Sequence, residues 1–291
     1  HFDIGASAQL VLENILLNMV EHVHKKTSMK NLCFGGGVAL NGVANYRILK
    51  EGPFENIHIP PSPGDGGSAI GCAQYSYFCQ HKKKREIVND AERIRNNIYV
   101  GPSYSNNQIK SYLDKNHIQY EYLETNTLLE TTAKLISEQN IIGWFQDRME
   151  WGPRALGNRS ILADPREEKM KDILNEKIKH RESFRPFAPS ILEEFASDYF
   201  EFASGRFSEI LPYMLLVARV KKPDKIPAVT HVDGTGRLQT VSRNINPLYY
   251  DLINKFFKIT NVPVVVNTSM NVRGEPIVNT PQHALNMLTK T

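Results

Sequence analysis

Between residues 7 and 26 the apolar side chains Ala8, Val11, Leu12, Ile15, Leu16, Met19, Val20 and Val23 recur at intervals of three and four, the spacing of one helical face. The pattern predicts a long, core-facing helix. A strand at 31–34 then meets Gly35, Gly36 and Gly37, and a helix over 38–50 is closed by Gly52. A second strand, 56–59, runs through PPSPGDGGSAIGCA into another helix. From 81 to 97 the chain is charged and aperiodic and reads as a linker. Beyond it, helices at 105–116 and 127–138 alternate with strands at 118–123, 141–145 and 158–163. Asp164, Pro165 and Glu167 have the grammar of a capping box opening a helix whose buried face is Met170, Ile173, Leu174 and Ile178. Strands at 213–220 and 239–242, a helix at 247–258, a strand at 262–266 and a helix from 280 complete the reading. Alternating strands and helices argue for an α/β chain with a twisted, mixed sheet.

A chain of 291 residues with 41% hydrophobic content is enough for two ordinary domains. No apolar run approaches the ~18 residues of a membrane span, and no charged-then-apolar layout marks a secretory signal, so a cytoplasmic location without membrane contact is expected. The net charge of +4 is slight, and no aromatic-basic interleaving marks a nucleic-acid platform. Cys33, Cys72 and Cys79 include no C-x-x-C pair and read as buried or half-buried thiols. His22 and His24, two apart on a helix, point in different directions and cannot chelate one metal.

The stretch 147–189 carries the chemistry. Its ten Lys/Arg and eight Asp/Glu nearly cancel, so Arg148, Arg154, Arg159, Lys179, Arg181 and Arg185 do not form a general basic patch. Guanidinium forks match phosphate and carboxylate oxygens, and each charge-assisted bond contributes about 1.5–3 kcal/mol. Gly152, Pro153 and Gly157 surround Arg154 and Arg159 with backbone that can turn tightly near a ligand, whereas Arg166 and Arg181 read as surface or ion-paired residues. Arg237 follows a Gly-Thr-Gly turn, and the apolar run 262–266 delivers Asn267, Thr268, Ser269 and Asn271 at its carboxyl end, the edge where open α/β sheets bind ligands. In the N-terminal part, the glycine turn offers backbone N–H groups to a phosphate, and Asp65 fits either a metal ligand or a helix cap.

Four segments together, FGGGVALNGVANYRI, PPSPGDGGSAIGCA, WGPRALGNRSILADP and FRPFAP, resemble the ATP-dependent O-carbamoyltransferases of the NodU type, over essentially the whole chain. The resemblance implies the C-terminal half of an actin/sugar-kinase/heat-shock-like nucleotide-binding domain at 1–85, a linker at 86–97, and a YrdC-like α/β domain at 98–291. Family members carry an upstream half with an H-x-x-x-H metal motif that does not occur in these residues, so the chain is expected to be a C-terminal portion of such an enzyme. The implied roles are catalysis by Arg154, Lys179 and Arg185, and substrate binding by Arg148, Arg159, Arg237, Asn267, Ser269 and Asn271. Gly36, Gly37 and Asn41 would line a nucleotide pocket, and Asp65 would bind a divalent metal, iron, with magnesium accompanying ATP. The implied partners are carbamoyl phosphate, ATP and a small hydroxyl-bearing acceptor, with a homodimer as the oligomeric expectation. Alternatives of another class are an RNA-modifying protein of the same fold and a non-catalytic anion- or nucleotide-binding module.

Overall fold

The computed structural model describes residues 1–86, 88–201 and 209–291. At the N-terminal end, α1 (Phe2–Thr27) precedes β1 (Asn31–Cys33), α2 (Gly42–Glu51), β2 (Asn56–His58) and α3 (Asp65–Tyr75), with β1 and β2 parallel. Helix α1 exists as the period predicts, but only Leu16 and Val20 are buried, while Val11, Ile15, Met19 and Val23 remain exposed. Helix α3 buries no residue. A two-stranded sheet offers too little surface to cover both helices. The three cysteines are likewise exposed, contrary to the buried thiols expected.

The expected linker contains a helix, α4 (Asp90–Ile98), started by Asn89, whose side chain accepts the Glu92 N–H at 2.9 Å. Its buried side chains are only Ile94 and Ile98, too few for a visible period. The capping box of Ser105 and Gln108 starts α5 (Asn106–Lys115), and α6 is Thr125–Ser137. The strand expected at 118–123 is not formed: that segment is largely exposed and pairs with no strand among the described residues.

Seven strands form one sheet in the order β3-β4-β9-β5-β8-β7-β6. They are β3 (Ile142–Phe145), β4 (Arg159–Ala163), β5 (Ala188–Leu192), β6 (Phe200–Glu201), β7 (Leu216–Val220), β8 (Thr235–Val241) and β9 (Val264–Ser269). The β5/β8 pair is parallel and its other neighbours are antiparallel, so the sheet is mixed, as expected of the α/β class. Strand β5 is central yet contains Pro189, and a proline reads against a central strand. Helices α7 (Lys169–Ile173), α8 (Ala196–Tyr199), α9 (Pro247–Thr260) and α10 (Pro281–Leu288) complete the chain, with α6 and α9 packed on each other and on the sheet.

Helix α2 seats on β7 through Gly42, where a Cβ would lie 3.0 Å from Val217 Cγ2 and 3.2 Å from its backbone nitrogen. Asn45 of α2 donates to Leu215 O at 2.8 Å, and one buried apolar core runs through both parts of the chain. Gly42 is therefore a close-approach glycine.

Register decides where the chemistry gathers. Ser160 opposes Ser269, Ala188 opposes Asn267, and Ser190 opposes Gln239. The carboxyl end of β9 thus lies level with the amino ends of β4, β5 and β8. Whatever precedes β4 and β5, or begins β8, meets at one edge of the sheet.

Candidate anion site

The loop before β4 is shaped from inside. Oε1 of buried Glu150 accepts N–H bonds from Leu156 at 2.7 Å, Asn158 at 2.7 Å and Arg159 at 3.2 Å, folding 150–159 around one carboxylate. Burial pushes the Glu150 carboxyl up, and these backbone bonds oppose that shift. Gly157, at φ +107, passes so close to Tyr249 that a Cβ would sit 2.3 Å from the ring. On the sheet side, Asn267 Nδ2 lies 3.0 Å from Ser190 Oγ, 2.9 Å from Gln239 Oε1 and 3.3 Å from Ala155 O. Gln239 Nε2 donates to Leu156 O at 2.9 Å. Side chains of β8 and β9, braced by Ser190 of β5, therefore hold the two carbonyls that follow Arg154.

Arg159 is bound into this scaffold by its two terminal nitrogens, while its buried Nε has no hydrogen-bond partner among the described residues. It is fully buried, donates to the carbonyls of Gln146, Asn158, Pro102 and Asp147 at 2.5–3.2 Å, and lies 3.6 Å from the Phe145 ring centroid. Asn267 spends Nδ2 on the sheet, while its Oδ1 is buried without a hydrogen-bond partner among the described residues. Arg148 is exposed and donates to Val100 O at 2.9 Å. Asp164 does not cap a helix: it is fully buried and bonds to Arg166 at 2.6–3.0 Å and to Gln139 at 2.8 Å, and α7 begins later, at Lys169.

The remaining cations converge. Arg154 and Arg237 each bury an Nε without a hydrogen-bond partner, and neither forms an ion pair among the described residues. Burial lowers both; Arg237 falls to about 9, with Arg154 and Arg181 as the neighbouring charges that add to the effect. Arg237 lies within β8, not in a turn after the glycines. Arg181, expected on the surface, is half-buried over the Phe187 ring at 4.9 Å, with Nε held by Asn175 Oδ1 at 2.7 Å. Its guanidinium is lowered by burial and then by Arg185. Arg185 is exposed and pairs with Glu182 at 3.2 Å, on the rim.

Lys179 closes the site. It is 4% exposed and donates to Ser269 O, to Asn271 O at 2.9 Å and to Asn271 Oδ1 at 2.8 Å, with Ser269 Oγ at 3.3 Å. Ser269 Oγ donates to Asn271 Oδ1 at 2.7 Å, and Asn271 Nδ2 to Glu275 O at 2.8 Å. Burial, with Arg181 second, brings Lys179 down to about 7. The edge thus holds four desolvated cations, Arg154, Lys179, Arg181 and Arg237, whose mutual repulsion a small dianion would relieve.

The N-terminal candidates lie elsewhere. Gly36 has φ +95 and donates its N–H to Pro63 O at 2.8 Å, which brings the glycine turn beside the loop before α3. A Cβ on Gly36 or Gly37 would meet nothing within 4 Å, so the turn is open. Asn41 caps α2 through Ala44 N at 3.0 Å and donates to Gln9 Oε1 at 2.8 Å. Asp65 is the first residue of α3, which Gly64 caps, and its side chain is exposed. Among the described residues no group of three His, Cys, Asp or Glu is placed to hold a metal. Asp65 alone would supply one oxygen ligand to a divalent metal. The residues that sequence reasoning missed are Arg181, Glu150, Ser190 and Gln239. The signal available for Gln239 was its position two residues after Arg237 on one strand, which puts both on the same face.

Comparison with known proteins gives the family. Residues 133–291 match the family model described as carbamoyltransferase C-terminus, and residues 1–74 match carbamoyltransferase N-terminus. The chain is 43% identical over 313 aligned residues to an uncharacterized protein of Synechocystis sp., covering 99% of this chain and 50% of that one. It is 42% identical to the nodulation protein NolO of Bradyrhizobium diazoefficiens, covering 100% and 52%. The chain therefore spans about half the length of the curated relatives it matches. The crystal structure of T. kodakarensis HypF superposes with a TM-score of 0.40 at 21% identity, over 56% of this chain and 19% of that one. With more than half of its length matched by the C-terminal model, this chain belongs to the carbamoyltransferase family.

Proposed function

We propose that the sheet edge binds carbamoyl phosphate and that the chain takes part in ATP-dependent carbamoyl transfer. The observation that carries this reading is the pair Arg154 and Arg237, desolvated, unpaired by any carboxylate among the described residues, and neighbours of Arg181 and Lys179. Fixed cations and oriented donors supply most of the stabilisation in phosphoryl and acyl transfer, and a site already stripped of water needs no reorganisation to provide it. Water converts carbamoyl phosphate to carbamate and phosphate. A carbamate oxygen then attacks the α-phosphorus of ATP, expelling pyrophosphate and giving carbamoyl-adenylate. An acceptor hydroxyl finally takes the carbamoyl group and AMP leaves.

Arg154, Arg181 and Arg237 hold the phosphoryl oxygens in this scheme, with Arg185 at the mouth. Lys179, anchored to Ser269 and Asn271, sets the floor. The open turn at Gly36 and Gly37 is the candidate site for nucleotide phosphates. Asp65 is kept as the candidate metal ligand, and no step is routed through the ion. Among the described residues no helix is long and apolar enough to cross a membrane. Incubation with carbamoyl phosphate and ATP tests the reading: pyrophosphate release that requires both is expected. Release that is independent of carbamoyl phosphate, or none at all, overturns it.

A further inference from the structure

His231 opens the turn that feeds β8 and stands outside every role assigned above. Its backbone N–H donates to Thr235 O at 2.7 Å, and Gly234 N donates to His231 O at 2.9 Å, so the turn is tight. Ring Nδ1 lies 3.1 Å from Thr235 Oγ1, and Thr235 Oγ1 lies 2.7 Å from Asp233 Oδ1. Burial alone would raise Asp233, but the bonds from the Thr235 hydroxyl and N–H outweigh it and hold the carboxyl below its ordinary range. A carboxylate only accepts, so the single Thr235 hydroxyl proton points to Asp233. Thr235 Oγ1 must then accept from Nδ1–H. The chain Asp233–Thr235–His231 thereby fixes one tautomer, leaving a lone pair on Nε2, which has no hydrogen-bond partner among the described residues.

Position gives that lone pair a use. Thr235 and Arg237 alternate with Gly236 along β8 and share a face, about 7 Å apart along the strand. The imidazole attached to Thr235 thus stands beside the Arg237 end of the cation cluster. The charged groups around the ring are Asp233, Arg237 and Lys171. Burial lowers the imidazole first, Asp233 opposes this, and Arg237 and Lys171 reinforce it, so the ring is neutral near pH 7.

We propose that His231 Nε2 is the general base that activates water against carbamoyl phosphate, an inference that rests on the substrate reading above. Nε2 takes one proton from water as its oxygen bonds to the carbonyl carbon. The bond from that carbon to the phosphoryl oxygen breaks, and its electron pair leaves with phosphate. The imidazolium then returns the proton to the departing phosphate, and carbamic acid ionises to solvent. Asp233 and Thr235 are positioning residues, holding the tautomer that keeps Nε2 free.

The test is phosphate release from carbamoyl phosphate across pH by the full chain, with His231→Asn and Asp233→Asn beside it and melting curves for each. His231→Asn retains an N–H for Thr235 but has no Nε2; kcat should fall at least about hundredfold with KM within threefold, and the acid limb of the profile should vanish. Asp233→Asn removes the one charge that raises the imidazole, so its acid limb should move to lower pH. A His231→Asn protein with kcat within threefold of the parent, or an unmoved limb in Asp233→Asn, overturns the assignment even if the other variant fails to fold. A parent chain that releases no phosphate overturns the substrate reading instead.

Discussion

Lys179 and Asn271 stand 92 positions apart in sequence, yet Nζ of the first donates to Oδ1 of the second at 2.8 Å and to its carbonyl at 2.9 Å. Together with Ser269 O these acceptors use all three ammonium protons in a site that is almost dry. The contact ties the end of the π-helical segment Leu174–Lys179, which continues α7, to the end of β9.

A pH dependence follows. Lys179 falls from 10.5 to about 7 in the folded chain, through burial and then Arg181, and a bound dianion favours its charged form. Affinity for sulfate, which does not itself titrate here, should therefore fall as pH rises through about 7, by up to tenfold per pH step, with proton uptake on binding. Calorimetry in buffers of different ionisation enthalpy reads this directly. Lys179→Arg should flatten the dependence; an unchanged slope would show that another group titrates. The sign for stability is opposite: between about 7 and 10.5 the unfolded chain holds more protons at this residue, so this group's contribution rises with pH across that window.

Arg159 and Arg154, five residues apart, should behave as different classes of residue. Arg159→Ala removes four carbonyl contacts, two of them fully buried, and empties a fully buried site, so it is expected to cost more than about 3 kcal/mol in urea unfolding. Arg154→Ala removes an unpaired, desolvated cation, so stability should hold or rise slightly. Its anion affinity should drop by about 1.5–3 kcal/mol. Equal stability losses in the two variants would contradict this division.

The amides beneath the loop should be coupled. Gln239→Ala and Asn267→Ala each remove a bond to the other and to a carbonyl just after Arg154. Each single change is expected to cost about 1–3 kcal/mol, with an interaction energy of at least about 0.5 kcal/mol in a double-mutant cycle. Additive losses would mean that the two amides act independently.

Gly157 offers the sharpest steric prediction. A methyl group there combines φ +107 with a 2.3 Å approach to Tyr249, so Gly157→Ala should unfold the loop or cost more than about 3 kcal/mol, seen as a large fall in melting temperature. Gly36→Ala should cost far less, for although Gly36 also has a positive φ, its Cβ would enter open space.

Much of this was legible in the chain. Gly152, Pro153 and Gly157 marked the loop, Lys179 was picked out at the end of an apolar face, and the alternation of elements gave an α/β chain with a mixed sheet. What escaped depends on burial that composition cannot reveal. A guanidinium bonded to carbonyls and one held over an aromatic ring leave the same letter, so neither the seat of Arg159 nor that of Arg181 over Phe187 shows in the sequence. Asp164, Pro165 and Glu167 satisfy the grammar of a cap, but Arg166 claims the carboxylate first and the helix starts later. Pro189 hid a central strand, and α4 buries too few side chains to show a period. The face of α1 was real, though only part of it finds a partner among the described residues.

The central claim is that the cation cluster is a carbamoyl phosphate site, and isothermal titration of the chain with carbamoyl phosphate tests it most directly. Arg154→Ala and Arg237→Ala should each weaken binding at least about tenfold, while Arg148→Ala, at an exposed side chain bonded to Val100 O, should leave it unchanged. Binding that survives both cluster substitutions, or that is lost with Arg148, would contradict the account.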